Sequence, residues 1–400
     1  MKQFTELTKQ SGGIPIAMQD GKLIGLDSTE PRKVLCCGPS GCGKTYSFML
    51  LNLLEAIERG DPIVVTDTLG ILEKLASETA KEHGYEIVRV DARSESTEHW
   101  DLQQLRPCKE FSVEDFCEWA TIVYKMMTPT APHSDEDIYF ELESALFSAT
   151  VQYAIEKGDA HSFQDVLDVC MSEGFSKKVK RSVRALVPRV GVRKAKAHAR
   201  QEALEKLRDS SPNLKGNISM ALYALITQLA KGGMLAGLAG QGSFRFDQVW
   251  GDKKTLVFIR PSNMRADDLS RTLLWYLTRC AENQKGRGTI LIDDCVNALE
   301  LLENPQEEFR KLTAAGKHVF FDVQGFAQLT AILGDEKAQK FVYSFDAVVV
   351  SGDAYTTSLF NVLTETDREY IANSKGASDC WHLLGQGQQS TMGKIRKIRI

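Results

Sequence analysis

Between Lys33 and Ser351 the chain alternates short apolar runs with segments whose apolar residues recur every three to four positions. The runs are Lys33–Cys37, Ile63–Asp67, Glu86–Val90, Thr255–Arg260, Thr289–Asp293, His318–Val323 and Ala347–Ser351. Each is β-branched or apolar through most of its length, and each is followed by a helical pattern. Strands of this kind, separated by helices, predict a parallel sheet covered on both faces.

From about Cys108 to Gly240 that rhythm stops and helical patterns take over. Ser134 with Asp137 forms a capping-box-like start to a helix running toward Tyr153. Further helical patterns cover Phe163–Met171, Lys177–Leu186, Arg193–Arg208 and Ile218–Ala230, punctuated by Pro188, Gly191 and the run Asp209–Pro212. The simplest organisation is an α/β core in two halves, residues 1–107 and 241–400, split by an all-α insertion over 108–240.

The first strand leads directly into chemistry. After Lys33–Cys37 comes Gly38-Pro39-Ser40-Gly41-Cys42-Gly43-Lys44-Thr45, a complete GxxxxGK[ST] phosphate loop. Its glycines let backbone N–H groups turn inward around a β-phosphate; Lys44 reaches the β/γ-phosphates and the Thr45 hydroxyl is a Mg²⁺ ligand. The apolar pattern from Lys44 to about Glu58 predicts a helix whose N-terminal dipole faces the phosphates, with Gly60 as its stop. Strand before and helix after are the context that confirms the motif, and they imply ATP and Mg²⁺ as ligands.

The run Thr289–Asp293 ends in a second acid, Asp294. In a phosphate-loop enzyme the first acid of such a pair, here Asp293, holds Mg²⁺ through water, and the second, Asp294, orients and deprotonates the attacking water. The run His318–Val323 ends in Gln324. That residue either senses the γ-phosphate, as in motors with an extra strand between the two motifs, or caps the next helix.

Composition narrows the setting. An apolar fraction of 43% with 26% charged residues is ordinary for a soluble globular protein. Nine cysteines without a CxxC pair read as reduced thiols, not as a disulfide framework or a zinc site. Met1–Gln10 lacks the apolar core of a signal peptide, and the longest apolar stretch, Phe48–Leu54, is far too short to span a bilayer. A cytoplasmic location without a transmembrane segment is expected.

With these motifs in place the chain resembles the type IV coupling proteins, the TraG-class ATPases of conjugation and type IV secretion, which group with the FtsK/HerA-like DNA pumps. The likeness is carried by the phosphate loop, by Val64-Val65-Thr66-Asp67-Thr68-Leu69-Gly70 with the downstream Gly84-Tyr85-Glu86-Ile87-Val88-Arg89-Val90, and by Trp100. It continues through Thr255–Pro261, the strand ending in Asp293-Asp294, Gln324-Gly325-Phe326-Ala327-Gln328-Leu329, and Ser351-Gly352-Asp353. The resemblance implies a RecA-like phosphate-loop core with a helical insertion and a catalytic set of Lys44, Asp294 and Gln324. It also implies a homo-oligomeric ring, most simply a hexamer, with an arginine reaching a neighbour's nucleotide; Arg260, Arg265, Arg271 and Arg279 are candidates. The implied function is an ATP-hydrolysing motor that drives DNA or a protein–DNA substrate into a type IV secretion channel. Its partners would be DNA, a relaxase or secreted protein substrate, and membrane-embedded channel proteins, placing the chain at the inner face of the membrane. Alternatives are an FtsK/HerA-type DNA translocase and a nucleotide-binding adaptor that recruits substrate without hydrolysis.

Two departures stand out. The family usually ends its second strand in Asp-Glu, and here Asp294 is shorter by one methylene, which draws the carboxylate back by about 1.5 Å. The family's "DPKGE" block reads Asp67-Thr68-Leu69-Gly70-Ile71.

Charge is segregated. Net charge is −4, yet Lys177 to Arg200 holds ten Lys/Arg and no acid. That segment, with Arg193, Lys194, Lys196 and Arg200, is the candidate nucleic-acid interface, alongside the plainer reading of a solvated helical face. Without interleaved aromatics, contact would be to backbone phosphate and independent of sequence. The smaller cluster Lys394, Arg396, Lys397 and Arg399 alternates with isoleucines and reads as an edge strand.

Overall fold

In a computed structural model of the chain, the structure describes residues 5–7, 13–91, 94, 97–109, 111–127, 138–172, 203, 205–231, 239–261, 268–294, 296, 299, 302, 304–351, 365–367, 369, 380–385 and 388–393. Twelve strands among them form one sheet: β1 Thr5–Glu6, β2 Ile14–Gln19, β3 Lys22–Leu26, β4 Lys33–Cys37, β5 Ile63–Asp67, β6 Glu86–Asp91, β7 Thr255–Arg260, β8 Gly288–Asp293, β9 Lys317–Val323, β10 Ala347–Ser351, β11 Cys380–Gly385 and β12 Gln388–Gly393. Their order across the sheet is β1-β3-β2-β12-β11-β10-β4-β9-β8-β5-β7-β6.

Neighbours from β10 through β4, β9, β8 and β5 to β7 run parallel. Every residue of β4, β5, β8, β9 and β10 is buried, which is why these strands read as largely apolar runs. Beyond β10 the pairing turns antiparallel through β11, β12, β2, β3 and β1. These five strands were not foreseen in the sequence, although Asp20-Gly21 between β2 and β3 is the legible signal. Asp20 and Gly21 take φ of 48° and 78°, as a tight two-residue hairpin requires at both positions.

Helices α1 (Leu50–Arg59) and α2 (Ile71–Glu82) cover one sheet face, where Phe48, Leu53, Leu72, Val65, Phe258, Leu291, Phe320 and Trp381 form a continuous buried cluster. Each such side chain contributes about 1.5–3 kcal/mol through loss of water-exposed apolar area. The expected helix from Lys44 does not begin as a regular α-helix. Thr45–Met49 forms a π-helical turn in which the Leu50 N–H reaches the Thr45 carbonyl, and α1 proper starts afterwards. Asn52 accounts for part of this: its side-chain amide donates to Phe48 O at 2.9 Å and to Pro15 O at 3.1 Å, so a carbonyl of the wide turn is satisfied by a side chain. Gly60 ends α1 in the left-handed region, φ 75°, as predicted.

The chain divides into two compact units. One comprises Met1–Arg89, Gln248–Pro261 and Ala281–Ile400 and holds the sheet; the other comprises Val90–Asp247 and Ser262–Cys280. The second is helical among its described residues, apart from the end of β6 and an isolated bridge between Trp100 and Ala239. It contains α3 (Val113–Met127), α4 (Ile138–Glu156), α5 (Phe163–Met171), α6 (Pro212–Lys231) and most of α7 (Asp268–Asn283). Its core is aromatic: Trp100, Phe111, Phe116, Trp119, Phe163, Trp275 and Tyr276 meet with ring centroids 5.1–6.3 Å apart. Helix α5 opens on a complete capping box, Ser162 with Asp165.

The expected helix over 177–186 and the Ser134–Asp137 helix start lie outside the described residues; of 193–208, residues 203 and 205–208 are described, and they are helical. The C-terminal basic cluster is likewise outside them. Among the described residues no helix is long and apolar enough to cross a membrane.

Candidate nucleotide-binding site

The phosphate loop joins β4 to the π-helical turn at the carboxyl edge of the sheet. Gly38 donates to Val323 O at 3.1 Å, tying the loop to the end of β9. A Cβ at position 38 would lie 2.6 Å from Cys42 Sγ and 2.7 Å from Ser351 Cβ, so only glycine fits there. Gly41 and Gly43 take φ of 81° and 95°, the left-handed backbone that turns successive N–H groups inward. The buried Lys44 ammonium donates to Gly38 O at 2.8 Å. Burial works against its charge, but nearby groups, Asp322 foremost, outweigh that and hold its pKa above the usual lysine value.

Across the sheet stands a set of acids. Asp293 ends β8, in register with Asp67 at the end of β5. The Thr66 hydroxyl links these strands, accepting from Asp293 N at 2.8 Å and lying 3.1 Å from Asp293 O. The Asp293 carboxylate lies 3.4 and 3.5 Å from Thr45 Oγ1. Burial first, and then the adjacent Asp322 carboxylate, push Asp293 well above the ordinary carboxylate range. Asp322 is itself pushed up, mainly by burial.

Asp294 follows in a left-handed conformation, φ 49°, with its N–H donating to Asp322 Oδ1 at 2.6 Å. Gln324 Nε2 donates to Asp294 Oδ1 at 2.8 Å, and Gln324 N donates to Gln328 Oε1 at 2.8 Å. Gln324 therefore touches the second acid in addition to closing the start of the following helix. Asp67 accepts from Glu73 N at 2.8 Å through Oδ2. Its Oδ1 and the Oδ2 of Asp322 are buried without a hydrogen-bond partner among the described residues.

The structure thus brings Lys44, Thr45, Asp293, Asp294 and Gln324 together on adjacent strand ends. Sequence reasoning missed Thr66 and Asp322; the signal for Asp322 was a lone acid inside Val319–Val323, a run otherwise apolar. Of the candidate arginines, Arg279 is 6% exposed, paired to Glu118 Oε1 at 3.0 Å and stacked over Trp275, so it serves its own core. Arg260 is half-buried at the end of β7 and pairs with Glu73 at 2.8 Å. Arg265, the side chain of Arg271, and Arg193, Lys194, Lys196 and Arg200 lie outside the described residues.

A divalent ion fits this edge. Thr45 and Asp293 offer only oxygen donors, as Mg²⁺ prefers, and a buried acid raised by its neighbours is one whose anion a cation would relieve. Among the described residues no three His, Cys, Asp or Glu side chains converge in metal-binding geometry. An ion held by Thr45 and Asp293 therefore calls for phosphate oxygens to complete its shell, as is usual for Mg²⁺ in nucleotide sites.

Comparison with known proteins bears on the fold and the family. No match was found among curated proteins. Among solved structures, the bacterial conjugative coupling protein TrwB in its unbound monoclinic form superposes with a TM-score of 0.67 at 14% identity, covering 98% of this chain and 90% of TrwB. VirB4 of Thermoanaerobacter pseudethanolicus gives 0.62 at 12% identity, covering 98% of both chains. TrwB in complex with ADP and Mg²⁺ gives 0.61 at 15% identity, with 96% and 89% coverage. The fold is that of these proteins. The model of the family described as type IV secretory system conjugative DNA transfer matches residues 4–352. A chain with this fold, a complete phosphate loop and a family match over most of its length belongs to the type IV secretory system conjugative DNA transfer family.

Proposed function

We propose that this chain is the ATP-hydrolysing coupling motor of a type IV secretion system, driving DNA or a protein–DNA substrate toward the channel. The observation that carries the reading is the convergence of Lys44, Thr45, Asp293, Asp294 and Gln324 at one sheet edge, in a chain of the conjugative transfer family. TrwB has been solved with ADP and Mg²⁺ and with non-hydrolysable ATP and GTP analogues, which supports nucleotide as the ligand.

In this reading the amides of Gly38–Thr45 and the Lys44 ammonium bind the β- and γ-phosphates. Thr45 and Asp293 hold Mg²⁺, which when bound neutralises charge on the transferred phosphoryl group. Asp294 orients the attacking water and takes its proton, and Gln324 holds the Asp294 carboxylate while reporting whether a γ-phosphate is present. The basic segment from 177 to 200, with Arg193, Lys194, Lys196 and Arg200, contacts nucleic-acid backbone. Subunits assemble as a ring, most simply a hexamer, with an arginine completing a neighbour's site. Its partners are a relaxase or secreted substrate and channel proteins at the inner face of the membrane.

The test is ATPase activity with and without single- and double-stranded DNA, paired with DNA binding across a salt series. Wild type should hydrolyse ATP and be stimulated by DNA. Reversing Arg193, Lys194 and Lys196 to Glu should weaken binding for all sequences and remove the stimulation. It should also flatten the slope of log affinity against log salt, by about 0.9 for each duplex phosphate that is no longer neutralised. Absence of turnover in wild type under every condition would refute the motor reading. Unaltered affinity and slope in the triple variant would move the DNA track elsewhere.

A further inference from the structure

Asp322 is a carboxylate that belongs neither to the phosphate loop nor to the pair of acids at the end of β8. It lies at the penultimate position of β9, in register with Cys36 of β4, and is 1% exposed. One oxygen accepts the Asp294 N–H at 2.6 Å, while the other has no hydrogen-bond partner among the described residues. A buried acid on a strand needs a reason, because removing its charge from water is costly unless something gains from it.

Lys44 gains from the Asp322 charge, and Asp294 gains from its hydrogen bond. Only two non-glycine residues among those described have positive φ, Asp20 at 48° and Asp294 at 49°. At Asp20 the tight hairpin imposes that conformation. Asp294 directly follows β8, and its backbone N–H is tied to Asp322. Aspartate is among the L-residues that best tolerate the left-handed region, but it still needs a local hydrogen bond to stay there. A hydrogen bond to a carboxylate is stronger than one between neutral groups, and stronger again away from water. Asp294 has a single methylene between backbone and carboxylate, so it cannot correct a misplaced backbone by reaching further.

We propose that Asp322 is a positioning residue. By accepting the Asp294 N–H it holds Asp294 in the left-handed conformation that places Asp294 Oδ1 within 2.8 Å of Gln324 Nε2. The consequence for turnover rests on the reading of Asp294 as the water-activating acid; how Asp294 is held does not.

Two variants separate the acceptor from the charge. Asp322→Asn keeps an acceptor oxygen and removes the charge, whereas Asp322→Leu is similar in size and accepts nothing. Asp322→Leu should lower kcat for ATP by roughly tenfold to a hundredfold, the cost of a displaced catalytic group. Asp322→Asn should recover most of kcat. The second readout is the Asp294 amide proton resonance in ¹⁵N-labelled full-length protein, which should move upfield in Asp322→Leu and stay close to wild type in Asp322→Asn. Should Asp322→Leu fail to fold, Asp322→Ala takes its place with the same expectations. An Asp294 amide unmoved by loss of the acceptor would overturn the proposal, as would an Asp322→Asn variant as slow as Asp322→Leu. If wild type shows no turnover while the amide shifts follow the pattern, the hydrolytic reading fails and the positioning role stands.

Discussion

The two edges of the parallel sheet both bury polar groups and treat them in opposite ways. At the amino edge charges sit beside groups of opposite sign or beside backbone carbonyls. Asp61 accepts from Arg59 at 2.9 and 3.1 Å and from the Thr289 hydroxyl at 2.8 Å, with Arg287 3.8 Å from its other oxygen. Lys317, fully buried, donates to the carbonyls of Gln284 and Gly286 at 2.8 and 2.7 Å and lies over the Trp250 ring. Arg32 N donates to His318 Nδ1 at 3.2 Å, and Lys33 N donates to Asp346 Oδ2 at 2.8 Å. At the carboxyl edge Asp67, Asp293, Asp294 and Asp322 gather near Lys44, and two of their buried oxygens have no hydrogen-bond partner among the described residues. The amino edge also leaves two buried side-chain atoms, Asp61 Oδ1 and Arg59 Nη1, without a hydrogen-bond partner among the described residues. The edges therefore differ in charge balance: Asp61 stands among arginines, whereas the carboxyl edge gathers acids that a cation and phosphate would complete. Buried charge holds the fold together at one end and prepares a site at the other.

Mutations should separate the two. The largest effect is expected from Lys44→Ala, which removes the cation set among those acids: ATP turnover should fall by at least about a hundredfold to a thousandfold. The circular dichroism spectrum should be unchanged, because the hydrogen bond lost is to Gly38 O, within the phosphate loop itself. Asp294→Asn should follow, with turnover down by roughly a hundredfold or more and nucleotide affinity by equilibrium titration retained. At the amino edge the effect moves from activity to stability. Asp61→Ala strands Arg59 in the interior and should cost about 3–5 kcal/mol in urea unfolding, with KM for ATP unaltered.

Smaller in size, but sharper as a contrast, is the response to pH. Burial, followed by Arg59, Arg287 and Arg32, pushes His318 down to about 3, against the ordinary value of 6.5. The unfolded chain therefore binds the extra proton between those values, and the amino edge loses stability as pH falls from 6.5 toward 3. Asp293 and Asp322 are raised, so the folded chain binds protons the unfolded chain has released, and the carboxyl edge loses stability as pH rises out of the ordinary carboxylate range. Unfolding free energies measured from about pH 4 to 8 should show His318→Asn relieving the acid loss and Asp322→Asn relieving the loss toward neutrality. Each change should be on the order of a kcal/mol or more, given about 1.4 kcal/mol per unit of pKa shift. Least of all, Lys340→Ala should leave the urea midpoint close to that of wild type, because its i,i+4 pair with Glu336 is exposed to water.

What could be read in advance follows the same division. Strands buried on both faces announce themselves as apolar runs, and the phosphate loop and Asp293-Asp294 sit at their ends, so the parallel core and most of its site were legible. The antiparallel extension was not. β12 is the polar run Gln388–Gly393, and β2 carries Pro15 and a shift of register between Pro15 and Ala17. The π-helical turn depends on a side chain, Asn52, finding a carbonyl, which no periodicity reports. Asp322 was hidden because a lone acid in an apolar strand has no pattern of its own; its meaning comes from Asp294, 28 residues earlier.

The sheet order also dictates when the site can exist at all. β4, which carries the phosphate loop, pairs with β9 and β10, and hydrogen bonds at its start span 286 and 313 residues. At translation rates of about 5–20 residues per second, roughly 15–60 s separate the emergence of the loop from that of its neighbours. Until then β4 is an apolar edge with nothing to pair with, and closing so long a loop is entropically slow even after synthesis. Nucleotide can offer no help during that interval, since the acids that complete its site have yet to be made. The newborn chain thus depends on being shielded through its longest wait, and the part it must keep from sticking is the part that later does the work.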